Sequence, residues 1–117
     1  MADTRELLAS NLHRVFGNRD ARSRQEAIEE TYTDDVVFDD PEGSVTGRAA
    51  VGAKAAALLD GAPADFVFAE DGLVYTGPNS GALAWTFGPS GSPVARGVDV
   101  ITVRDGRIAS LRTMLSE

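Results

Sequence analysis

Residues 32–52, YTDDVVFDDPEGSVTGRAAVG, predict a strand, an abrupt turn and the start of a helix. The apolar run Val36–Phe38 favours an extended strand, and it leads directly into two carboxylates, Asp39 and Asp40. A proline and a glycine then end the strand. Because successive side chains of a strand point to opposite faces, we expect one of the two aspartates to face the interior and the other to face water.

Helical periodicity precedes this stretch. A first helix is predicted from about residue 3 to Gly17, because apolar side chains recur at helical spacing in Leu8, Leu12, Val15 and Phe16. A second helix is predicted from Ser23 to about Tyr32, because Glu26 follows Ser23 at the spacing of a capping box. After the turn, the run RAAVGAKAAALL predicts a third helix that ends at Asp60-Gly61.

Beyond the third helix the periodicity changes to about two residues, which is typical of strands. Four strand-like runs lie in residues 65–77, 81–88, 93–103 and 107–115. In the second run Trp85 and Phe87 alternate with smaller residues that are also largely apolar. Helices can cover only one face of such a sheet, so we expect a second copy of the chain to cover the other face in a homodimer.

Composition excludes several functions. The 117 residues, of which 43% are hydrophobic, fit one domain spanning residues 1–117. A net charge of -7 argues against nucleic acid or an anionic membrane as a partner. The absence of cysteine, the single histidine and the lack of calcium-loop spacing among the acids predict no metal site. The amphipathic N-terminus has no long apolar run, so we expect a cytoplasmic protein.

The stretch YTDDVVFDDPEGSVTGRAAVG, followed downstream by GVDVITVRDGRI, resembles the nuclear-transport-factor-2-like superfamily, and within it the SnoaL-like polyketide cyclases and ketosteroid isomerases. The resemblance covers nearly the whole chain in the same element order. It implies an α+β fold in which a cone-shaped, curved antiparallel sheet wraps around three N-terminal helices, as in the cystatin-like α+β barrel, and encloses an apolar cavity. This superfamily supports many reactions, so the fold does not name a substrate.

The resemblance also implies site residues. In ketosteroid isomerases the acid directly before the proline is the general base, which here is Asp40. Asp99, in GVDVITV, matches the protonated acid that binds the enolate oxygen, and His13 falls where the family has its oxyanion tyrosine. The expected ligand-binding walls are Phe16, Phe38, Leu58, Trp85, Phe87 and Met114.

Asp40, Asp99 and His13 each also have a structural interpretation. His13 can be a residue at the edge of the core, on the side of the first helix. Asp40 can simply cap the turn, since aspartate before proline is common turn chemistry. Asp99 can instead pair with Arg96, Arg112 or His13 as part of the core.

The favoured function is a cofactor-independent isomerase or cyclase that transfers a proton on a small apolar carbonyl compound of steroid or polyketide type. The first alternative is a noncatalytic ligand-binding or dimerisation module, which His13 in place of the tyrosine favours. The second is an epoxide hydrolase. It is disfavoured because Thr113 stands where that family has an acid on the last strand.

Overall fold

Three helices cover a single open sheet in the computed structural model, which describes residues 3–117. Helix α1 spans Thr4–Ala9 and continues without a break as a π-helix over Ser10–Phe16, α2 spans Ala21–Thr31 and α3 spans Arg48–Gly61. Asp3 caps α1 by accepting a hydrogen bond from the Glu6 N–H at 2.8 Å.

Helix α2 begins two residues before the predicted start. Asp20 is its N-cap and accepts a hydrogen bond from the Ser23 N–H at 2.9 Å. The prediction that the helix begins at Ser23 is therefore wrong, because the side chain that satisfies the free N–H groups of the first turn comes from Asp20.

The sheet has six strands in the order β2-β1-β6-β5-β4-β3. Their bounds are Tyr32–Asp40 for β1, Gly43–Thr46 for β2, Phe66–Thr76 for β3, Ser80–Pro89 for β4, Ala95–Arg104 for β5 and Arg107–Leu115 for β6. All neighbouring strands are antiparallel except β1 and β6, which run parallel. The predicted α+β class with three helices is confirmed, but the sheet is mixed and open where a wholly antiparallel barrel was expected.

Strand β2 was not predicted, since its residues GSVT resemble a turn. It forms because the chain turns back at Pro41 and pairs with the end of β1, where Phe38 lies opposite Val45. Helix α3 then connects β2 to β3, which lies at the opposite edge of the sheet. The free side of β1 pairs with the last strand, β6. The register shifts within the β3–β4, β5–β6 and β1–β6 pairings, and interruptions of this kind let the sheet curve around the helices.

The hydrophobic core lies between the helices and one face of the sheet. On β4, Leu83, Trp85 and Phe87 are buried, whereas the residues between them point to the other face, as the alternation predicted. Helical side chains complete the core with Leu7, Leu8, Leu12, Val15, Ala27, Ile28, Val51 and Ala55. None of the helices within residues 3–117 is both long enough and apolar enough to span a membrane.

Candidate active site

A pocket of about 430 Å³ lies between the sheet and helix α3, next to the end of β1. We call it the apolar pocket. Its walls are mainly hydrophobic, formed by Leu12, Phe16, Phe38, Ala57, Leu58, Phe68, Trp85 and Leu115. Its polar lining consists of Asp40, Glu42, Lys54, Asp99 and Thr113. A mostly apolar pocket of this size with a few polar groups is typical of small-molecule sites.

Aromatic contacts fix the walls of the apolar pocket. The ring of Phe16, at the end of the π-helix, meets that of Phe38 edge-on with 5.6 Å between the ring centroids. Trp85 makes a similar edge contact with Phe68 at 5.3 Å. On its other side the indole lies against Gly97, where a Cβ atom would come within 2.5 Å of Trp85 Cζ2. The position of the indole therefore depends on the absence of a side chain at residue 97.

Gly97→Ala is expected to destabilise the protein by about 1–3 kcal/mol, because the new methyl group overlaps both the indole and the Met114 carbonyl oxygen. Urea unfolding measures the change in the free energy of unfolding. Gly61→Ala, at the end of α3, is the matched control, because a Cβ atom there meets nothing within 4 Å. Equal stabilities of the two variants would contradict the close packing of Trp85 on the backbone.

Asp99 lies at the centre of a buried hydrogen-bond network. It is 5% exposed and is placed on β5 directly opposite Thr113 of β6. Its Oδ1 accepts a hydrogen bond from the Thr113 hydroxyl at 2.7 Å, and its Oδ2 accepts one from Asn11 Nδ2 at 3.0 Å. Asn11 Oδ1 in turn accepts a hydrogen bond from the Tyr32 hydroxyl. The network thus links the π-helix to three strands.

Burial raises the pKa of Asp99 to about 6, although hydrogen bonds from neighbouring groups oppose this rise. The nearby Trp85 N–H also lowers the pKa of Asp99. This buried N–H makes no hydrogen bond of normal geometry to any described residue. Burial, together with the charge of Asp99, raises the pKa of Tyr32 well above its usual value. Asp99 can therefore gain or lose a proton near neutral pH, whereas Tyr32 stays protonated.

Asp40 has two roles at the opening of the apolar pocket. Its Oδ1 accepts a hydrogen bond from the Glu42 N–H at 2.9 Å, so it caps the turn. Its Oδ2 lies 3.1 Å from Lys54 Nζ, and its side chain is only 13% exposed. Asp40 therefore both caps the turn and lines the apolar pocket.

Asp39 points away from the apolar pocket, as the alternation along β1 requires. It lies opposite Arg112 of β6 on the outer face, with 3.6 Å between its Oδ2 and Arg112 Nη2. Of the two adjacent acids, Asp40 is the one that lines the apolar pocket.

Lys54 connects the opening of the apolar pocket to helix α3. Its Nζ lies 2.9 Å from Glu42 Oε1 and 3.1 Å from Asp40 Oδ2. Hydrogen bonds to Glu42 and Asp40 raise the pKa of Lys54 above its usual value, so it carries a positive charge at neutral pH.

His13 is not in the apolar pocket. Its ring lies on an exposed side of the helix, with 3.1 Å between Nε2 and Glu70 Oε2. The side chain that reaches Asp99 from this helix is Asn11. The position of His13 therefore does not support the role of the family tyrosine that the sequence predicted for it.

Two of the predicted ligand-binding residues lie outside the apolar pocket. Phe87 is buried behind its wall and stacks on Phe68 with 4.2 Å between the ring centroids. Met114 is half exposed and points to the opposite face of β6 from Thr113, because neighbouring side chains on a strand alternate. The other four, Phe16, Phe38, Leu58 and Trp85, line the pocket.

The predicted structural partners of Asp99 bind other acids. Arg96 pairs with Asp71 and Arg112 pairs with Asp39. The partners of Asp99 are neutral groups, so its carboxyl group has no compensating positive charge in direct contact among residues 3–117.

Sequence reasoning missed Asn11, Tyr32 and Lys54. The sequence did indicate a role for Asn11, because it adjoins Leu12 on the apolar side of the first helix. A polar side chain buried there needs a hydrogen-bond partner. Tyr32 lay at the boundary predicted between helix and strand. Lys54 lies in an alanine-rich helix, where periodicity does not indicate the buried face.

Comparison with known proteins assigns the chain to a family. Residues 9–111 match the model of the SnoaL-like domain. The chain belongs to the SnoaL-like family. The resemblance noted in the sequence is thereby confirmed for most of the chain. Among curated proteins, none is similar enough to this SnoaL-like chain to count as a match.

Solved structures share the fold of this SnoaL-like protein. A SnoaL-like family protein from Agrobacterium tumefaciens, named as an isomerase, is 21% identical with a TM-score of 0.88, and the match covers 97% of each chain. A Jannaschia protein named as a SnoaL-like polyketide cyclase is 16% identical with a TM-score of 0.78, covering 97% of this chain and 85% of its own. A Kribbella flavida protein named as a ketosteroid isomerase is 18% identical with a TM-score of 0.73, covering 97% and 78%. At these identities the similarity shows the fold alone.

Proposed function

We propose that this SnoaL-like protein is a cofactor-independent isomerase or cyclase that transfers a proton on an apolar carbonyl compound bound in the apolar pocket. The observation that carries the proposal is that Asp40 and Asp99 line the same largely hydrophobic pocket. The names of the structural neighbours, an isomerase and a polyketide cyclase among them, favour the same class of reaction. The protein acts in the cytoplasm, and its partner is a small apolar molecule rather than nucleic acid or a membrane.

In the proposed reaction Asp40 removes a proton from the carbon next to the carbonyl group. Its Oδ1 accepts a hydrogen bond from the turn, so in this proposal Oδ2, which lies 3.1 Å from Lys54 Nζ, is the oxygen that takes the proton. The electron pair of the broken C–H bond moves toward the carbonyl oxygen and forms an enolate. The protonated form of Asp99, which burial favours, donates a hydrogen bond to an oxygen of the substrate.

The fate of the enolate distinguishes an isomerase from a cyclase. If Asp40 returns the proton to another carbon of the conjugated system, the product is an isomer. If the enolate carbon attacks a second carbonyl group of the same molecule, a ring closes and the new alkoxide takes the proton that Asp40 removed, which returns Asp40 to its ionised form. Both outcomes begin with the same proton removal, so the first step can be tested without knowing the product.

Hydrogen exchange at carbon tests the proposal. The protein is mixed in D₂O with a panel of cyclic ketones and 1,3-diketones, and NMR follows the loss of the α-hydrogen signals. We expect exchange faster than in buffer alone for ketones that bind. Binding of these ketones without any faster exchange would contradict the proposed reaction.

The noncatalytic ligand-binding module remains the second candidate, and one observation favours it. Both oxygens of Asp99 already accept hydrogen bonds from the protein, and Oδ2 of Asp40 is paired with Lys54. A module of this kind binds the ketones with wild-type affinity in the Asp40→Asn and Asp99→Asn variants and exchanges no hydrogen.

The proposal includes a homodimer formed through the outer face of the sheet. There Tyr75, Ala82 and Val100 lie side by side on neighbouring strands, and Val98 lies beside Met114 in the next row. Tyr75 and Met114 are among the exposed large hydrophobic residues. A patch of this kind is suited to a second copy of the same surface.

Light scattering at micromolar concentration is expected to give the mass of a dimer, and Val98→Lys is expected to give a monomer, because a charge at the centre of the patch would be buried without a partner. Val94→Lys is the control, since Val94 is exposed in the β4–β5 connection. A wild-type protein with the mass of one chain would rule the dimer out.

A further inference from the structure

Lys54 is the only lysine in the sequence, and the structure places it at the apolar pocket. It belongs to α3, where its neighbours along the helix are mostly alanines. Its side chain is 24% exposed, and the hydrophobic side chains of Phe16 and Leu58 line the same pocket. An ammonium group in such surroundings attracts an anion more strongly than one in water does.

The two carboxylates that contact Lys54 are not equally fixed. Asp40 is largely buried, and the turn holds its other oxygen. The side chain of Glu42 is 80% exposed, and exposed ion pairs of this kind contribute little to stability. A bound ligand can therefore replace the Glu42 carboxylate at Lys54 while the contact with Asp40 is kept.

We propose that Lys54 is the anion-binding residue of the apolar pocket, and that it binds the ionised oxygen of an apolar organic anion, such as a phenolate or an enolate, in place of the Glu42 carboxylate. The apolar walls bind the body of the anion. The inference rests on the proposed function in that the bound anion corresponds to the enolate of that reaction. Because Lys54 Nζ lies 3.1 Å from Asp40 Oδ2, one enolisable group can present its α-hydrogen to Asp40 and its oxygen to Lys54.

Lys54→Met tests this inference, because methionine keeps most of the length of the unbranched side chain and removes the charge. The probes are 4-nitrophenolate and 4-nitroanisole, at a pH where the phenol is ionised, and calorimetry measures their affinities. Lys54→Met is expected to weaken binding of 4-nitrophenolate by about 10- to 100-fold, as expected for a lost hydrogen bond to a charged group. The affinity for the neutral ether is expected to change by less than about threefold, because its contacts are with the apolar walls.

Two further variants make the test specific. Glu42→Gln removes the competing carboxylate, so it is expected to strengthen 4-nitrophenolate binding several-fold. It also provides an independent test if Lys54→Met fails to fold. Arg112→Met removes one positive charge close to Asp39 but outside the apolar pocket, and is expected to leave both affinities unchanged. The inference is overturned if Lys54→Met binds 4-nitrophenolate as the wild type does, if it weakens both probes equally, or if the wild-type protein does not bind 4-nitrophenolate.

The binding assay and the hydrogen-exchange assay can fail independently. If 4-nitrophenolate binding depends on Lys54 but no ketone exchanges hydrogen, the anion site stands and the proposed reaction fails. If ketones exchange hydrogen but 4-nitrophenolate binding does not depend on Lys54, the reaction stands and the role of Lys54 is overturned.

Discussion

Asp40→Asn is expected to slow hydrogen exchange at the α-carbon of a bound ketone by about 10²- to 10⁴-fold, the usual contribution of a general base. An amide cannot accept the proton. Its oxygen can still accept the Glu42 N–H, so the turn and the wall of the apolar pocket remain in place. Ligand affinity is therefore expected to stay within about threefold of the wild-type value, and the loss appears in the rate of the chemical step.

Asp39→Asn is the matched control for Asp40→Asn. The two residues are adjacent, and each change removes one carboxylate from the end of β1. Asp39, however, faces Arg112 on the outer surface, so its replacement is expected to leave exchange unchanged. NMR in D₂O compares the two variants directly. Equal rates in both would show that the inward position of Asp40 has no catalytic consequence.

The stability of the protein is expected to depend on pH through Asp99. The pKa of Asp99 is about 6 in the folded protein and 3.8 for an ordinary aspartate. Below about pH 3 the group is protonated in both states. As the pH rises, the unfolded chain releases its proton first while the folded protein keeps it, so the contribution of Asp99 to stability falls until the pH passes about 6. The total fall is about 3 kcal/mol.

The Asp99→Asn variant isolates this contribution, because asparagine does not titrate. Urea unfolding of the wild-type protein and the variant between pH 3 and pH 7 gives the difference in their free energies of unfolding. As the pH rises, we expect the free energy of unfolding of the wild-type protein to fall by about 3 kcal/mol relative to that of the variant. Acids with a lowered pKa, such as Asp35, act in the opposite direction, but they are present in both proteins and cancel in the comparison. A difference that stays constant with pH would show that burial does not perturb Asp99.

Alternation made much of the sheet predictable from the sequence. Because a strand repeats every two residues, the shared face of Trp85 and Phe87 followed directly from the pattern, whereas Asp99 was selected by the resemblance. The inward position of Asp40 followed from the resemblance combined with the same rule. Strand β2 and the parallel contact between β1 and β6 did not follow, because pairing between distant segments depends on where helix α3 leads the chain.

The side of the first helix that faces the site was harder to predict. Residues 10–16 form a π-helix, which has a wider turn than the α-helix assumed in the sequence analysis. The resemblance selected His13, whereas Asn11 is the residue that reaches Asp99. Lys54 lies on a helix with alanine on several sides, so no contrast in hydrophobicity indicated its orientation.

The two oxygens of Asp40 have different partners in the folded protein, and this affects the entropy of the reaction. The Glu42 N–H holds one oxygen and Lys54 holds the other, so rotation of the carboxylate is restricted before any ligand arrives. Fixing a side chain costs conformational freedom, and here that loss occurs when the protein folds rather than when the ligand binds. A substrate entering the apolar pocket therefore meets a preorganised base, and only the substrate's own motion remains to be restricted before the proton moves.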